Sequence, residues 1–96
     1  MTVHDLKVWP EYFDHIEDGS KPFEIRNNDR GFRIGDILNL QEYAPGPDEY
    51  TGRSVVKQVS FLISGDDALG FAFGLRPGFV ALGLSDGAPS TEKGRG

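Results

Sequence analysis

Residues 19–26 read Gly19-Ser20-Lys21-Pro22-Phe23-Glu24-Ile25-Arg26, and the fold turns on how they are divided. Gly19 is placed to stop a helix, because glycine enters the left-handed conformation that closes a last turn at no steric cost. From Phe23 the pattern alternates, with Phe23 and Ile25 on one face and Glu24 and Arg26 on the other. That alternation predicts a half-buried strand over Phe23–Arg26. Lys21 then stands at the strand's entrance, and Glu24 and Arg26, two residues apart, point the same way.

Upstream, Val3–Val8 predicts a first strand with Val3, Leu6 and Val8 apolar. Pro10 suits the first position of a helix, and Glu11 falls in the first turn, where the helix dipole favours an acid. Trp9, Tyr12, Phe13 and Ile16 recur at three- and four-residue spacing and form one apolar stripe. So short a helix must be held by packing rather than by propensity.

Downstream, Asn27, Asn28, Asp29 and Gly31 make a loop, and Ile34-Gly35-Asp36 turns into a strand over Ile37–Tyr43. Ala44–Gly52, with two prolines and two glycines, predicts an exposed loop. A long strand follows over Ser54–Ile63, with Val55, Val59, Phe61 and Ile63 sharing a face. Gly65–Gly74 predicts irregular structure, Arg76-Pro77-Gly78 a turn, and Phe79–Leu84 a last strand. The stretch 86–96, DGAPSTEKGRG, has no apolar residue larger than alanine and predicts a disordered tail behind a single domain over residues 1–85. The order β, α, β, β, β, loop, β predicts an α+β, mainly β fold: a small barrel or curled sheet of about five strands with one N-terminal helix packed at its side.

Composition agrees. Of 96 residues, Gly contributes 13 and Pro 6, a density that disfavours sustained helix. Hydrophobic residues make up 38% and charged residues 26%, a globular balance with a lean core. The absence of cysteine removes disulfides, thiol catalysis and thiolate zinc sites. The two histidines, His4 and His15, sit on different predicted elements without metal-ligand spacing, so neither a metal nor a cofactor is expected. No stretch approaches the ~18 apolar residues of a membrane span, the N-terminus lacks a signal-peptide pattern, and no lipidation motif closes the chain. A cytoplasmic protein without a membrane partner is the expectation.

The net charge of −5 argues against broad binding of phosphate backbones. The charge is uneven, however. Residues 21–33 carry Lys21, Arg26, Arg30 and Arg33 against only Glu24 and Asp29, whereas residues 34–52 hold acids and no base. Lysine and arginine offer donors to a phosphate or carbonyl oxygen, and a glutamate accepts from an amino group such as the exocyclic amine of cytosine. The same three residues also suit a solvated ion pair across a strand face. Arg30 lies in a loop where it can reach a phosphate, Lys7 can join a basic cleft, and an exposed Trp9 can stack on a base. Each has a bland alternative: a paired loop charge, a solvated lysine, a tryptophan in the core.

The segment resembles the signature of the ASCH domain, Gly-x-Lys-x-x-Glu-x-Arg. Gly19, Lys21, Glu24 and Arg26 fill its four positions. HDLKVWPEYFDHIEDG before it, NNDRGFRIGDILNLQEY after it, YTGR at residues 50–53 and GLRPGFVALGL at residues 74–84 look like a small bacterial and phage branch of that superfamily. The resemblance runs over roughly residues 4–84. It implies a PUA-like fold, a barrel with a helix at one side and a cleft between them. It also implies an RNA or modified-nucleoside ligand in that cleft, held by Lys21, Glu24 and Arg26 with Arg30, Lys7 and Trp9 in support. A related branch hydrolyses acetylcytidine with a lysine at the Lys21 position and a threonine nucleophile where this chain has Glu24. A carboxylate does not replace a hydroxyl nucleophile, and Thr51 and Thr91 fall in a predicted loop and tail. Amidohydrolysis, with Lys21 and Glu24 as the acting pair, is therefore the second expectation. A protein-interaction module without a nucleic-acid ligand is the third.

Overall fold

The computed structural model describes residues 1–86. Five strands form one curled sheet: β1 (Val3–Val8), β2 (Phe23–Asn27), β3 (Ile37–Ala44), β4 (Glu49–Ser64) and β5 (Phe79–Ser85), with α1 (Pro10–Glu17) after β1 and a short α2 (Ala68–Ala72) after β4. The spatial order is β1-β3-β4-β5-β2, with β1 parallel to β3 and the other pairs antiparallel. The α+β, mainly β architecture therefore stands as expected. The expected tail at 87–96 lies outside the described residues. Asp86, assigned to that tail, instead accepts a 2.6 Å hydrogen bond from the buried Lys57.

Helix α1 starts at Pro10 and is closed by Gly19, whose φ of +86° is the left-handed conformation that glycine tolerates. The Gly19 amide donates to Ile16 O and the Lys21 amide to His15 O, which fixes the turn leading into β2. Only part of the expected apolar stripe is core. Phe13 and Ile16 are fully buried, while Trp9 and Tyr12 are half exposed. A helix of eight residues presents too narrow a face to bury four large side chains against one sheet. Phe13 and Ile16 pack with Leu6, Val8, Leu38, Leu40, Val59, Val80 and Leu82. At ~1.5–3 kcal/mol per buried apolar side chain, these two hold the helix to the sheet.

Three expectations about the strands are corrected. Residues 49–52 are strand rather than loop: Tyr43 pairs with Tyr50 and Ala44 with Glu49, so only residues 45–48 turn. Both prolines of this region fall inside that turn, where their missing amides cost nothing. In β4 the register shifts between Val59 and Phe61, so the face shared by Val55 and Val59 continues to Leu62. Phe61 and Ile63 turn outward, because a bulge adds one residue and reverses every later side chain. In β2 the two faces are exchanged: Glu24 is buried and Arg26 half-buried, while Phe23 and Ile25 point out.

The glycine-rich segment after β4 also departs from expectation, in forming α2. A Cβ at Gly70 would run into the carbonyl of Ser64, and one at Gly65 into that of Arg76. These glycines let backbone pass backbone. No helix of the described residues is long and apolar enough to cross a membrane.

Candidate functional site

The edges of the curled sheet, β1 and β2, come together without a backbone ladder. Two arginines bridge them instead. Arg26 Nη2 donates to the carbonyl of Lys7 at 2.6 Å, and Arg30 Nη1 donates to the carbonyl of Asp5 at 3.0 Å. Lys7 and Asp5 are alternate residues, so their carbonyls point to the same side of β1. The guanidinium groups thus satisfy edge acceptors that a sixth strand would otherwise take.

Where the edges diverge, a cleft of about 510 Å³ opens. Lys7, Val8 and Trp9 at the end of β1, with Tyr12 of α1, form one wall, and Lys21 with all of β2 forms the other. Glu24 is the hub of the second wall. Its Oε1 accepts from Lys21 Nζ at 2.9 Å, and its Oε2 accepts from Arg26 Nε at 2.9 Å and Nη2 at 2.7 Å. One carboxylate between two cations leaves a local charge of +1 facing the cleft. The Glu24 side chain is 8% exposed, against 19% for Lys21 and 25% for Arg26. The acid is therefore inside and the two bases are nearer the solvent. Burying a carboxylate is costly unless its oxygens are paired, which explains the exchanged faces of β2: Glu24 can point inward because both of its oxygens are paired.

The ammonium of Lys21 also donates to Phe23 O at 2.9 Å and lies 4.8 Å from the Phe23 ring centroid and 5.3 Å from that of Tyr12. It is held between two aromatic faces and a carboxylate, so its position is set before any ligand arrives. Trp9 is half exposed along the opposite wall.

The residues singled out from sequence thus divide. Lys21, Glu24, Arg26 and Trp9 meet at one cleft. Glu24 does so as the fixed partner of two cations rather than as a free acceptor. Lys7 contributes its carbonyl to Arg26, while its ammonium sits 4.2 Å from the Tyr43 ring centroid. Arg30 ties the sheet edges at Asp5 and lies outside the cleft lining.

A second polar cluster escaped the sequence reading. Glu42, buried on β3, accepts from Thr51 Oγ1 at 2.5 Å and from Arg53 Nε and Nη2, each at 2.9 Å. Arg53 also reaches Asp14 of α1 at 3.0 Å and lies 4.6 Å from the Phe13 ring centroid. Hydrogen bonds from Arg53 and then Thr51 outweigh desolvation and hold the Glu42 carboxyl at about 2, while Glu42 and Asp14 push the Arg53 guanidinium up. The cluster clamps helix to sheet. Its sequence signals are that Arg53 is the first base after a run of acids and that Thr51 and Arg53 both fall in the YTGR stretch.

His4 and Asp36 form a third pair, 2.8 Å apart and both buried. Burial alone would raise the Asp36 carboxyl; hydrogen bonds from His4, the Thr2 amide and the Arg33 amide bring it below its ordinary range. Among the described residues, no cluster of three or more His, Cys, Asp or Glu has the geometry to hold a metal ion.

The family model described as a domain of unknown function, DUF3850, matches residues 3–84. The chain belongs to the DUF3850 family. That match covers every described element up to the last residues of β5, so the DUF3850 unit includes both sheet edges and the cleft between them. The chain is also similar to an "Uncharacterized 12.9 kDa protein in GpA 3'region" of Escherichia phage P2, at 36% identity over 58 residues. That alignment takes in 60% of this chain and spans about half, 51%, of the phage protein's length.

Proposed function

We propose that the DUF3850 cleft binds RNA or a modified nucleoside, as its resemblance to the ASCH domain and the PUA-like fold implies. The observation that carries this reading is the pair of cations, Lys21 and Arg26, fixed on a buried Glu24 in a cleft whose other wall presents a half-exposed tryptophan. Preset cations beside an aromatic face suit a ligand with an anionic or carbonyl oxygen and a flat base. Holding the donors in place beforehand lowers the ordering cost of binding. Such a ligand is in keeping with a cytoplasmic role.

The amidohydrolase reading finds less support. Glu24 has its oxygens engaged by Lys21 and Arg26, and the Thr51 hydroxyl donates to Glu42, outside the residues that line the cleft.

The test is binding of short single-stranded RNAs and a panel of plain and acylated nucleosides across a salt series. With two cations at the site, the logarithm of the RNA affinity is expected to fall against the logarithm of salt with a slope of about −1 to −2. A slope near zero for RNA, together with no nucleoside binding, would remove the proposal.

A further inference from the structure

The exchange of faces in β2 has a second consequence, on the outside of the sheet. Through the register, Phe61 of β4 lies opposite Gly83 of β5, which lies opposite Phe23 of β2; Ile63, Ala81 and Ile25 form the neighbouring row. Residues paired in this way share a face. Two ridges of large apolar side chains therefore flank a shallow trough floored by Ala81 and Gly83, with the Ser60 hydroxyl beside Gly83. The outer positions of the three strands are Phe61 and Ile63, then Phe79, Ala81, Gly83 and Ser85, then Phe23, Ile25 and Asn27, and none carries a charge. Leu69 and Phe73 at α2 extend the β4 ridge around a groove of about 420 Å³.

Phe23, Ile25, Phe61, Ile63, Leu69 and Phe73 are between 38% and 77% exposed. At ~150–200 Å² per large apolar side chain, they present about 600 Å² of apolar surface, at the upper limit for a lone soluble chain. With the trough and rim residues, the face approaches the ~800 Å² that each partner contributes to a stable interface.

We infer that this face packs against the same face of a second copy of the chain. The ridge–trough–ridge profile is self-complementary. The ridges stand two strand spacings, ~10 Å, apart, and a two-fold axis sets a ridge of each copy into the trough of the other. The result is a sheet-on-sheet sandwich about the thickness of an ordinary protein core. The outer strand positions of this face carry no charge, and Asp67 is the one charged residue among those lining the groove.

The experiment is sedimentation equilibrium on the full chain and on two single variants, Phe61→Glu and Phe73→Asp. Both positions are exposed and lie outside the cleft lining, so neither variant removes a residue of the cleft. A discrete dimer with a dissociation constant at or below ~10 µM is expected, weakened at least ~30-fold in each variant with the melting temperature retained. Val3→Lys, on the opposite edge strand, should leave the dimer unchanged. A monomer at all concentrations, open-ended aggregation, or a dimer indifferent to both variants would each overturn the inference. A lone monomer would leave the face to a different protein.

Discussion

Glu24 organises the cleft by standing between Lys21 and Arg26, and its removal should be felt first in stability. Glu24→Ala leaves two cations facing each other on one wall. It is expected to cost about 3 kcal/mol, the low end for breaking a buried pair, because both cations reach solvent. Urea denaturation measures this, and a loss below ~1 kcal/mol would mean that the network contributes little to the fold. Glu42 makes a different prediction, in pH. Its folded-state pKa is held at about 2, below the ordinary 4.5. Below pH 4.5 the unfolded chain takes up a proton that the folded chain refuses. The stabilisation is therefore complete above that pH and is lost as pH falls toward 2. The lowered Asp36 works in the same direction. Acid titration of the melting temperature should show this fall, and Glu42→Gln should flatten it; an unchanged profile in that variant would remove Glu42 as its source. At this scale the sequence was informative about which residues gather but not about what they do there. The spacing of Lys21, Glu24 and Arg26 placed them together, yet Arg30 and Lys7 spend their polar groups on the β1 edge and on Tyr43.

Helix α1 depends on two side chains. Phe13→Ala should cost ~3–5 kcal/mol, since the ring is fully buried between helix and sheet. A chemical melt checks this, and native-like stability would mean that the helix face is not anchored there. Gly65→Ala tests a close approach: its new Cβ meets the Arg76 carbonyl, and backbone does not yield cheaply. A clear drop in melting temperature is expected, and none would show that the turn after β4 relaxes easily. Strand positions, the start of α1 and its glycine stop were legible because periodicity and turn chemistry are local. Which face of β2 points inward was not. Alternation fixes two faces, and the choice between them rested on burying Phe23 and Ile25, whereas pairing made the charged face the one that could be buried. The bulge in β4 was equally hidden, because one extra residue in the ladder leaves no mark in composition yet turns Phe61 and Ile63 outward.

Across the molecule, one curled sheet separates two surfaces of opposite character. At the seam between β1 and β2, cations and half-exposed aromatic rings line a cleft. Behind it, the outer face of β2, β5 and the end of β4 is apolar and uncharged. The same strand, β2, supplies both: Glu24 and Arg26 belong to the cleft, while Phe23 and Ile25 border the cleft and also stand in the apolar face. The cleft claim is open to direct measurement because Trp9 is the only tryptophan of the chain and lies in the cleft wall. Its fluorescence reports occupancy without a label. Titration with short RNAs and with plain and acylated nucleosides should give a saturable change in Trp9 emission for at least one of them. Arg26→Ala should weaken that binding ~30-fold, the loss of one charge-assisted hydrogen-bonding group. No emission change with any RNA or nucleoside, or equal affinity in the folded Arg26→Ala variant, would contradict the account.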